Sequence, residues 1–431
     1  MSDAHAGGRG GPGGRSGERD ASAVVQVSGH IIDSLILPKI LDLIIDAGAD
    51  YRLLDVDIGR SHTDASNARI EVIADSDELL EQVLVAIHQH GAHRIEEPDA
   101  TLEPAPSGGV LPRGFYATTN LPTSVKVDGR WIAVDRPEMD CALVVDANHA
   151  SARVVPMGDV GAGELVVVGI DGVKVEPFER PREPMGRSAQ IAADSFAFMT
   201  SDVSSEKPKG PLVAEVARRI RAMREAGGRL LAVPGPALIH TGAGPDLAQL
   251  VREGWIDVLF SGNGFATHDI ESSLLGTSLG ISLHEGAPTE GGHANHLRTI
   301  NEVRSWGSIT AGVERGALTS GVMYECVKAG VPFVLGGSVR DDGPLPDVVT
   351  DVIEAQRRMR AELEGVRVAL MLASTLHAIA TGNLLPAGVE TYCVDINQAV
   401  VTKLADRGSH QALGIVTDVG LFVRELTAHL T

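Results

Sequence analysis

The stretch from Val368 to Asp395, VALMLASTLHAIATGNLLPAGVETYCVD, constrains the fold more than any other part of the chain. An apolar run ends at Ala373-Ser374-Thr375, a helical pattern follows, and a second apolar run closes on Asp395. Strand, turn, helix, strand, acid is the order with which an α/β sheet grips a dinucleotide. A helix starting near Thr375 would point free N–H groups and the positive end of its dipole at a pyrophosphate. Asp395, about 20 residues further on, is placed to accept hydrogen bonds from a ribose diol. The usual GxGxxG is absent, so backbone would approach phosphate through small Ala373 and Ser374. An ordinary βαβ unit with a surface aspartate is the competing reading.

At 431 residues the chain is too long for one typical domain, and two or three are expected. Residues 1–22, Gly/Arg-rich and without an apolar run, read as a disordered tail and not as a secretory signal. Residues 23–105 carry a βαββαβ pattern, the ferredoxin-like α+β motif, which often binds small metabolites or pairs with copies of itself. Residues 106–185 change to short strands with turn signals: SVKVDGRWIAV and ELVVVGIDGVKVEPF each hold Asp-Gly at a hairpin position. A Ser/Lys/Pro-rich linker, SDVSSEKPKGP, then leads into residues 186–431, where helix and strand alternate. There VERGALTSGVMYECVKAG reads as continuous helix, and PDVVTDVIEAQRRMRAEL as a helix beginning near Pro346. The fold class is therefore α/β: a doubly wound, Rossmann-like C-terminal dinucleotide domain behind an α+β region and a β-rich middle region.

With 49 glycines and only 3% aromatic residues, the chain suits α/β layers better than a β-sandwich. The net charge of −20 argues against a nucleic-acid-binding surface. Cys141, Cys326 and Cys393 offer neither a disulfide framework nor a CxxC pair, and read as reduced, buried thiols. No apolar run reaches the roughly 18 residues of a membrane span, so a cytoplasmic protein without membrane contact is expected. A symmetric homo-oligomer suits such a chain.

Four loops after expected strands carry more polar residues than a plain turn needs: 235–244, 260–271, 335–347 and 417–420. With Ser374, Thr375 and Asp395 they converge on one rim of the sheet. Asn263 ends a strand and opens a helix as a possible cofactor contact, while Gly264 lets backbone come close. Asp341 or Asp342 suits either a ribose contact or a helix cap. His268, Asp269 and Glu271 are candidates for proton transfer. His293, with Arg298 or Arg340, is a candidate for substrate binding, the arginines as bidentate clamps on a carboxylate. His293 and His296 lack the spacing and further ligands of a zinc site, and no metal is expected.

The segments GHIIDSL (29–35), VSSEKPKGP (203–211), GPALIHTG (235–242), GNGFATHDIE (262–271), RDDGPLPD (340–347), VDINQAVVTKLADRGS (394–409) and TDVGLF (417–422) resemble the archaeal-type ornithine cyclodeaminases. The same family forms the C-terminal half of bifunctional arginine dihydrolase/ornithine cyclodeaminases, and bears the label LOR/SDH conserved region. The resemblance implies an NAD-dependent enzyme converting L-ornithine to L-proline and ammonia, with a C-terminal domain similar to deoxyhypusine synthase. Motif by motif, it implies cofactor contacts at Asn263, Gly264, Asp341, Ser374, Thr375, Leu376, His377, Asp395, Asp418 and Val419. The chain departs from the family pattern at Gly264 to Thr267 and at Thr375, both beside the expected cofactor site.

In that reaction a hydride leaves the α-carbon for NAD, the δ-amine attacks the resulting imine, ammonia departs, and the hydride returns. The protein must position the α-carbon, move protons and exclude water. Two alternatives stay open: a net oxidoreductase of another amino acid, of lysine or saccharopine type, and a silent NAD- or amino-acid-sensing module.

Overall fold

The computed structural model describes residues 21–32, 34–59, 64–95, 98–177, 209–289, 292–341, 343–400, 403 and 412–431. Residues 1–20 of the expected N-terminal tail, most of the linker and Asp342 lie outside the described residues, as does the side chain of His293, whereas Ala21 and Ser22, expected in the tail, pair with the sheet as the start of its first strand.

The first sheet is built from β1 (Ala21–Gly29), β2 (Asp50–Asp57), β3 (Ser66–Ala74) and β4 (His93–Arg94), in the order β2–β3–β1–β4. All three pairings are antiparallel, which is the split βαβ arrangement. The helices Ile36–Asp46 and Asp77–His88 cover one face. Alternate residues of β3 (Ala68, Ile70, Val72) point into that core with Val25 and Val27 of β1, as a period of two requires. Ser76 starts the second helix by accepting the Leu79 N–H, the cap its sequence advertises.

The second sheet contains β5 (Thr101–Pro104), β6 (Thr123–Val127), β7 (Arg130–Asp135), β8 (Ala142–Val145), β9 (Ala152–Val155), β10 (Leu165–Val168) and β11 (Val173–Val175), ordered β11–β6–β7–β9–β8–β10–β5. Asp128-Gly129 forms the expected hairpin turn between β6 and β7, with φ of 51° and 75°. Asp171-Gly172 does not form the other expected hairpin. β10 pairs with β5 and β8 while β11 pairs with β6, and the Gly172 carbonyl accepts the Lys126 N–H. Partners far away in sequence outbid the local turn.

The third sheet comprises β12 (Arg229–Pro234), β13 (Val258–Gly262), β16 (Phe333–Gly336), β17 (Val348–Val349), β18 (Val366–Leu372), β19 (Glu390–Asp395) and β20 (Ala412–Val416). A small hairpin of β14 (Thr277–Ser278) and β15 (Ile281–Ser282) stands apart from it. The order is β17–β16–β13–β12–β18–β19–β20, with every pair parallel. Both faces are covered: Leu230, Ala232, Leu259 and Leu370 enter one core, Leu231, Val233, Phe260 and Ala369 the other. The chain moves outward from β12 through β13, β16 and β17, then returns to place β18 on the other side of β12. The strand order thus reverses between β12 and β18, where a doubly wound sheet opens its ligand crevice.

Two helical expectations are corrected here. The stretch around 313–330 is two helices, Ile309–Glu314 and Val322–Ala329, because Gly316 and Gly321 adopt φ of 74° and 103°. No helix begins near Pro346: Val348–Val349 joins the sheet edge, and the helix Val352–Glu362 starts where Asp351 accepts the N–H groups of Ile353 and Glu354. Among the described residues no helix is long and apolar enough to cross a membrane. The three cysteines are free and buried.

Candidate active site

The crevice at the β12/β18 reversal is formed by two turns in contact. Gly235, directly after β12, donates its N–H to Leu372 at the end of β18, and a Cβ on Gly235 would lie 1.9 Å from the Ala373 carbonyl oxygen. Only a glycine fits there. Ala373 is held in the left-handed region at φ 50°, and its N–H is bound by Val394 of β19. The chain then turns into the helix Leu376–Leu384, whose N-terminus has no side-chain cap. Ser374 is buried at this turn, while Thr375 and Leu376 are exposed. Small residues, a tight turn and uncapped N–H groups leave room and donors for an anion.

On the β13/β16 flank, the His377 ring lies against the strand ends: a Cβ on Gly262 would stand 2.4 Å from its Nε2, and one on Gly336 3.3 Å from its Cε1. Burial lowers the His377 pKa, against the opposing pull of nearby Asp341. Asp341 accepts the Ser338 N–H at 2.8 Å and so orders its own loop. Asn263, buried at the first turn of the helix Asn263–Leu275, accepts the Leu345 N–H at 3.0 Å and ties that loop down. Gly264 packs against Pro236. On the opposite flank, Asp395 accepts the Asn397 N–H, and exposed Asp418 caps the helix Val419–Leu430 through the Leu421 N–H, leaving Val419 buried. The rim residues read from the sequence therefore stand along the carboxyl ends of β16, β13, β18, β19 and β20.

The three acid–base candidates separate. Asp269 is fully buried and accepts the N–H groups of Val322 and Met323, at 2.9 and 2.8 Å, at the start of the helix Val322–Ala329. Burial pushes its pKa up to about 6, and those two bonds partly restrain it. Its carboxylate is committed to holding two helices together. Glu271 and His268 instead bond each other, His268 Nδ1 to Glu271 Oε2 at 2.8 Å. Glu271 also accepts the Thr277 hydroxyl at 2.8 Å and the Gly280 N–H at 3.0 Å. Burial alone would raise its pKa, yet bonds from His268, Gly280 and Thr277 hold it below the usual range. A buried carboxylate on Nδ1 fixes the imidazole tautomer and leaves Nε2 for chemistry.

This network continues outward. Asn295 donates to the Thr277 hydroxyl at 3.0 Å, and Arg298 donates to Asn295 Oδ1 at 3.1 Å. At the other end the His240 ring meets His268 edge to face, with centroids 4.9 Å apart, and its Nδ1 lies 2.7 Å from Ser278 Oγ. His240, Ser278, Thr277 and Asn295 were not singled out from the sequence. His240 lies within GPALIHTG, and its place on a post-strand loop was the available signal. Arg340 is exposed, and only its backbone N–H bonds within the described loop, to Ser338. A cavity of about 550 Å³, lined in part by Ile239, Arg252, Asp269, Ser273 and Glu325, opens on another side of the helix Asn263–Leu275. None of Asn263, Ser374, His377 and Asp395 lines it.

Against known families, residues 22–121 match the LOR/SDH bifunctional enzyme conserved region. Residues 122–213 match the first region of the arginine dihydrolase ArgZ-like C-terminal part, and residues 214–426 its Rossmann fold. The ornithine cyclodeaminase of Methanopyrus kandleri is 51% identical over 411 residues, 95% of this chain and 98% of the relative. The chain belongs to the ornithine cyclodeaminase family. The bifunctional arginine dihydrolase/ornithine cyclodeaminase AgrE of Nostoc is 43% identical over 95% of this chain and 58% of its own length. Among solved structures, apo ArgZ, a cyanobacterial arginine dihydrolase, superposes with a TM-score of 0.81 at 38% identity, over 95% of this chain and 58% of that one. AgrE in ternary complex with ornithine and NAD+ matches with a TM-score of 0.51 at 42% identity, over 95% and 57%.

Proposed function

We propose that this family member is an NAD-dependent ornithine cyclodeaminase that converts L-ornithine to L-proline and ammonia. The observation that carries the reading is end-to-end likeness to ornithine cyclodeaminases together with an open, uncapped turn at the reversal of the sheet. A dinucleotide fits the residues present. Gly235 puts no side chain between the two turns, and Ser374, Thr375, Leu376 and His377 offer backbone N–H groups to a pyrophosphate. Asp395 would hold the adenosine ribose, with Asp418 and Val419 beside it; Asn263, Gly264, Asp341 and His377 would line the nicotinamide end. When bound, NAD accepts a hydride from the α-carbon of ornithine and gives it back.

The chain's own residues do the rest. His268, oriented by Glu271, serves as a general base and acid for a nitrogen atom of the substrate. Arg298, joined to the same network through Asn295, is the group we assign to the substrate carboxylate. Closely packed turns keep water from the imine. Incubating the protein with labelled ornithine and catalytic NAD is expected to yield proline and ammonia without net NADH. Accumulation of NADH in proportion to product would replace this reading by a net oxidoreductase.

A further inference from the structure

Cyclisation of a diamino acid needs two proton acceptors, because both nitrogens arrive as ammonium groups and neither reacts in that form. The α-nitrogen must lose a proton before hydride can leave its carbon, and the δ-nitrogen must lose one before it can attack. His268 supplies one acceptor. From the geometry we propose that His240 is the second catalytic residue, the imidazole that touches the substrate and takes the δ-ammonium proton, at the end of the network away from Arg298. This inference rests on the cyclodeaminase reading above.

Three observations carry it. The chain of bonded groups from Arg298 through Asn295, Thr277, Glu271 and His268 is buried in its middle, and beyond His268 the next titratable group is His240, which is exposed. His240 is also fixed in direction, its Nδ1 held by Ser278 Oγ of the hairpin at 2.7 Å and its ring backed by His268, so that among the described residues Nε2 is the nitrogen left without a partner. Finally, it stands at the end of the short helix Ala237–His240, one turn beyond Gly235, which touches Ala373 at the reversal of the sheet. The short helix that carries this imidazole thus begins at the crevice.

The charged surroundings set its resting state. Burial, with the His268 ring beside it, lowers the His240 pKa to about 4 against the opposing pull of Glu271. His240 is consequently neutral at physiological pH, with a lone pair available. The two histidines differ in setting: His240 is bonded to a hydroxyl, and His268 to a carboxylate that fixes its ring. The protons balance. Each histidine takes one proton from one ammonium group; after the attack the new ring nitrogen passes its second proton to the departing α-nitrogen, which leaves as ammonia, and the protons held by the two histidines go to the ring nitrogen of proline and to the ammonia, released as ammonium. The hydride lent to NAD comes back to the same carbon.

The test compares His240→Gly with the wild-type enzyme, adding free imidazole. Turnover is expected to fall by about 10²-fold or more, NAD binding to stay unchanged, and imidazole to restore part of the lost rate. A variant that binds NAD and turns over at the wild-type rate overturns the proposal. So does one that imidazole fails to rescue. To separate a folding defect from the loss of a base, the wild-type enzyme carries a second arm. Acylation of His240 by diethyl pyrocarbonate, mapped by peptide mass, should be suppressed by ornithine with NAD and not by NAD alone. Equal labelling in both cases also overturns the proposal. Failure of the wild-type enzyme to release proline would instead sink the cyclodeaminase reading and leave the His240 labelling result standing alone.

Discussion

Gly235→Ala tests the architecture of the crevice most directly. The new Cβ would lie 1.9 Å from the Ala373 oxygen and 2.8 Å from its carbonyl carbon, and real Cβ atoms essentially never come within 3.0 Å of another heavy atom. Both obstacles are backbone, so no side chain can swing aside. The turns must separate by about 1.1 Å, the difference between 3.0 and 1.9 Å. Applied to the Gly235 N–H bond to Leu372, 2.8 Å long, that shift stretches it to about 3.9 Å, beyond bonding range. The lost bond costs about 1 kcal/mol and the overpacking about 1–3 kcal/mol, so a destabilisation of about 2–4 kcal/mol is expected. A displacement of about 1 Å in a turn that positions the cofactor is enough to cost on the order of 10²-fold in rate. NAD affinity, by calorimetry, should weaken at least about tenfold, which corresponds to about 1.4 kcal/mol of the disturbance reaching the binding site. Gly242→Ala is the control: at φ 78° with nothing within 4 Å, it adds about 1–2 kcal/mol of backbone strain and no collision. If Gly235→Ala binds NAD and turns over like the wild type, the crevice is not at the β12/β18 reversal.

Three further outcomes follow from single contacts. Gly262→Ala would bring a methyl group to 2.4 Å from His377 Nε2 and push that ring out of its packing; the His377 titration, read by NMR, should then move up towards an ordinary histidine, and an unmoved titration would refute the placement. His88 is buried against Tyr116 with its pKa lowered from 6.5 to about 4, chiefly by burial. The unfolded chain therefore binds a proton there more readily, and about 3 kcal/mol of stability, full above pH 6.5, is lost as pH falls towards 4. Urea unfolding of His88→Leu should flatten that acid slope, and an unchanged slope would contradict the account. Asp269→Ala orphans the N–H groups of Val322 and Met323, each worth about 1–3 kcal/mol when left unsatisfied. A total loss of about 3–5 kcal/mol should appear in its urea midpoint, and a loss under about 1 kcal/mol would mean that water reaches those groups.

What could be read from the sequence was local. The Asp128-Gly129 hairpin was legible because turn and partner strands are neighbours. Asp171-Gly172 carries the same dipeptide and failed, because β10 finds its partners in β5 and β8. The strand, turn, helix and acid of 368–395 were likewise legible as a unit. That this unit lies beside β12 was not, since strand order is decided by packing across the whole sheet. Gly321 looked like one glycine in a helical run, yet its φ of 103° and its contact with Asp269 mark a helix start. His240 gave no pattern because its helix is only four residues long.

The helix Asn263–Leu275 explains why sequence reasoning could not choose between Asp269 and Glu271. Its residues Phe265 to Glu271 are all buried, so it shows no polar face from which an exposed catalytic group could be picked out. Residues two apart on a helix point to different sides. Asp269 thus faces the helix Val322–Ala329, and Glu271 faces the hairpin and His268. Three tasks are thereby fixed by one rigid element: Asn263 holds the loop ending at Leu345, Asp269 holds a neighbouring helix, and Glu271 aims an imidazole. Each turn of this helix carries an anchor, so His268 cannot shift relative to the cofactor-side loop without breaking a buried hydrogen bond. Precision in the placing of the His268 ring then follows from burial itself, and the two carboxylates divide the work, one holding the helix in place and one orienting the imidazole.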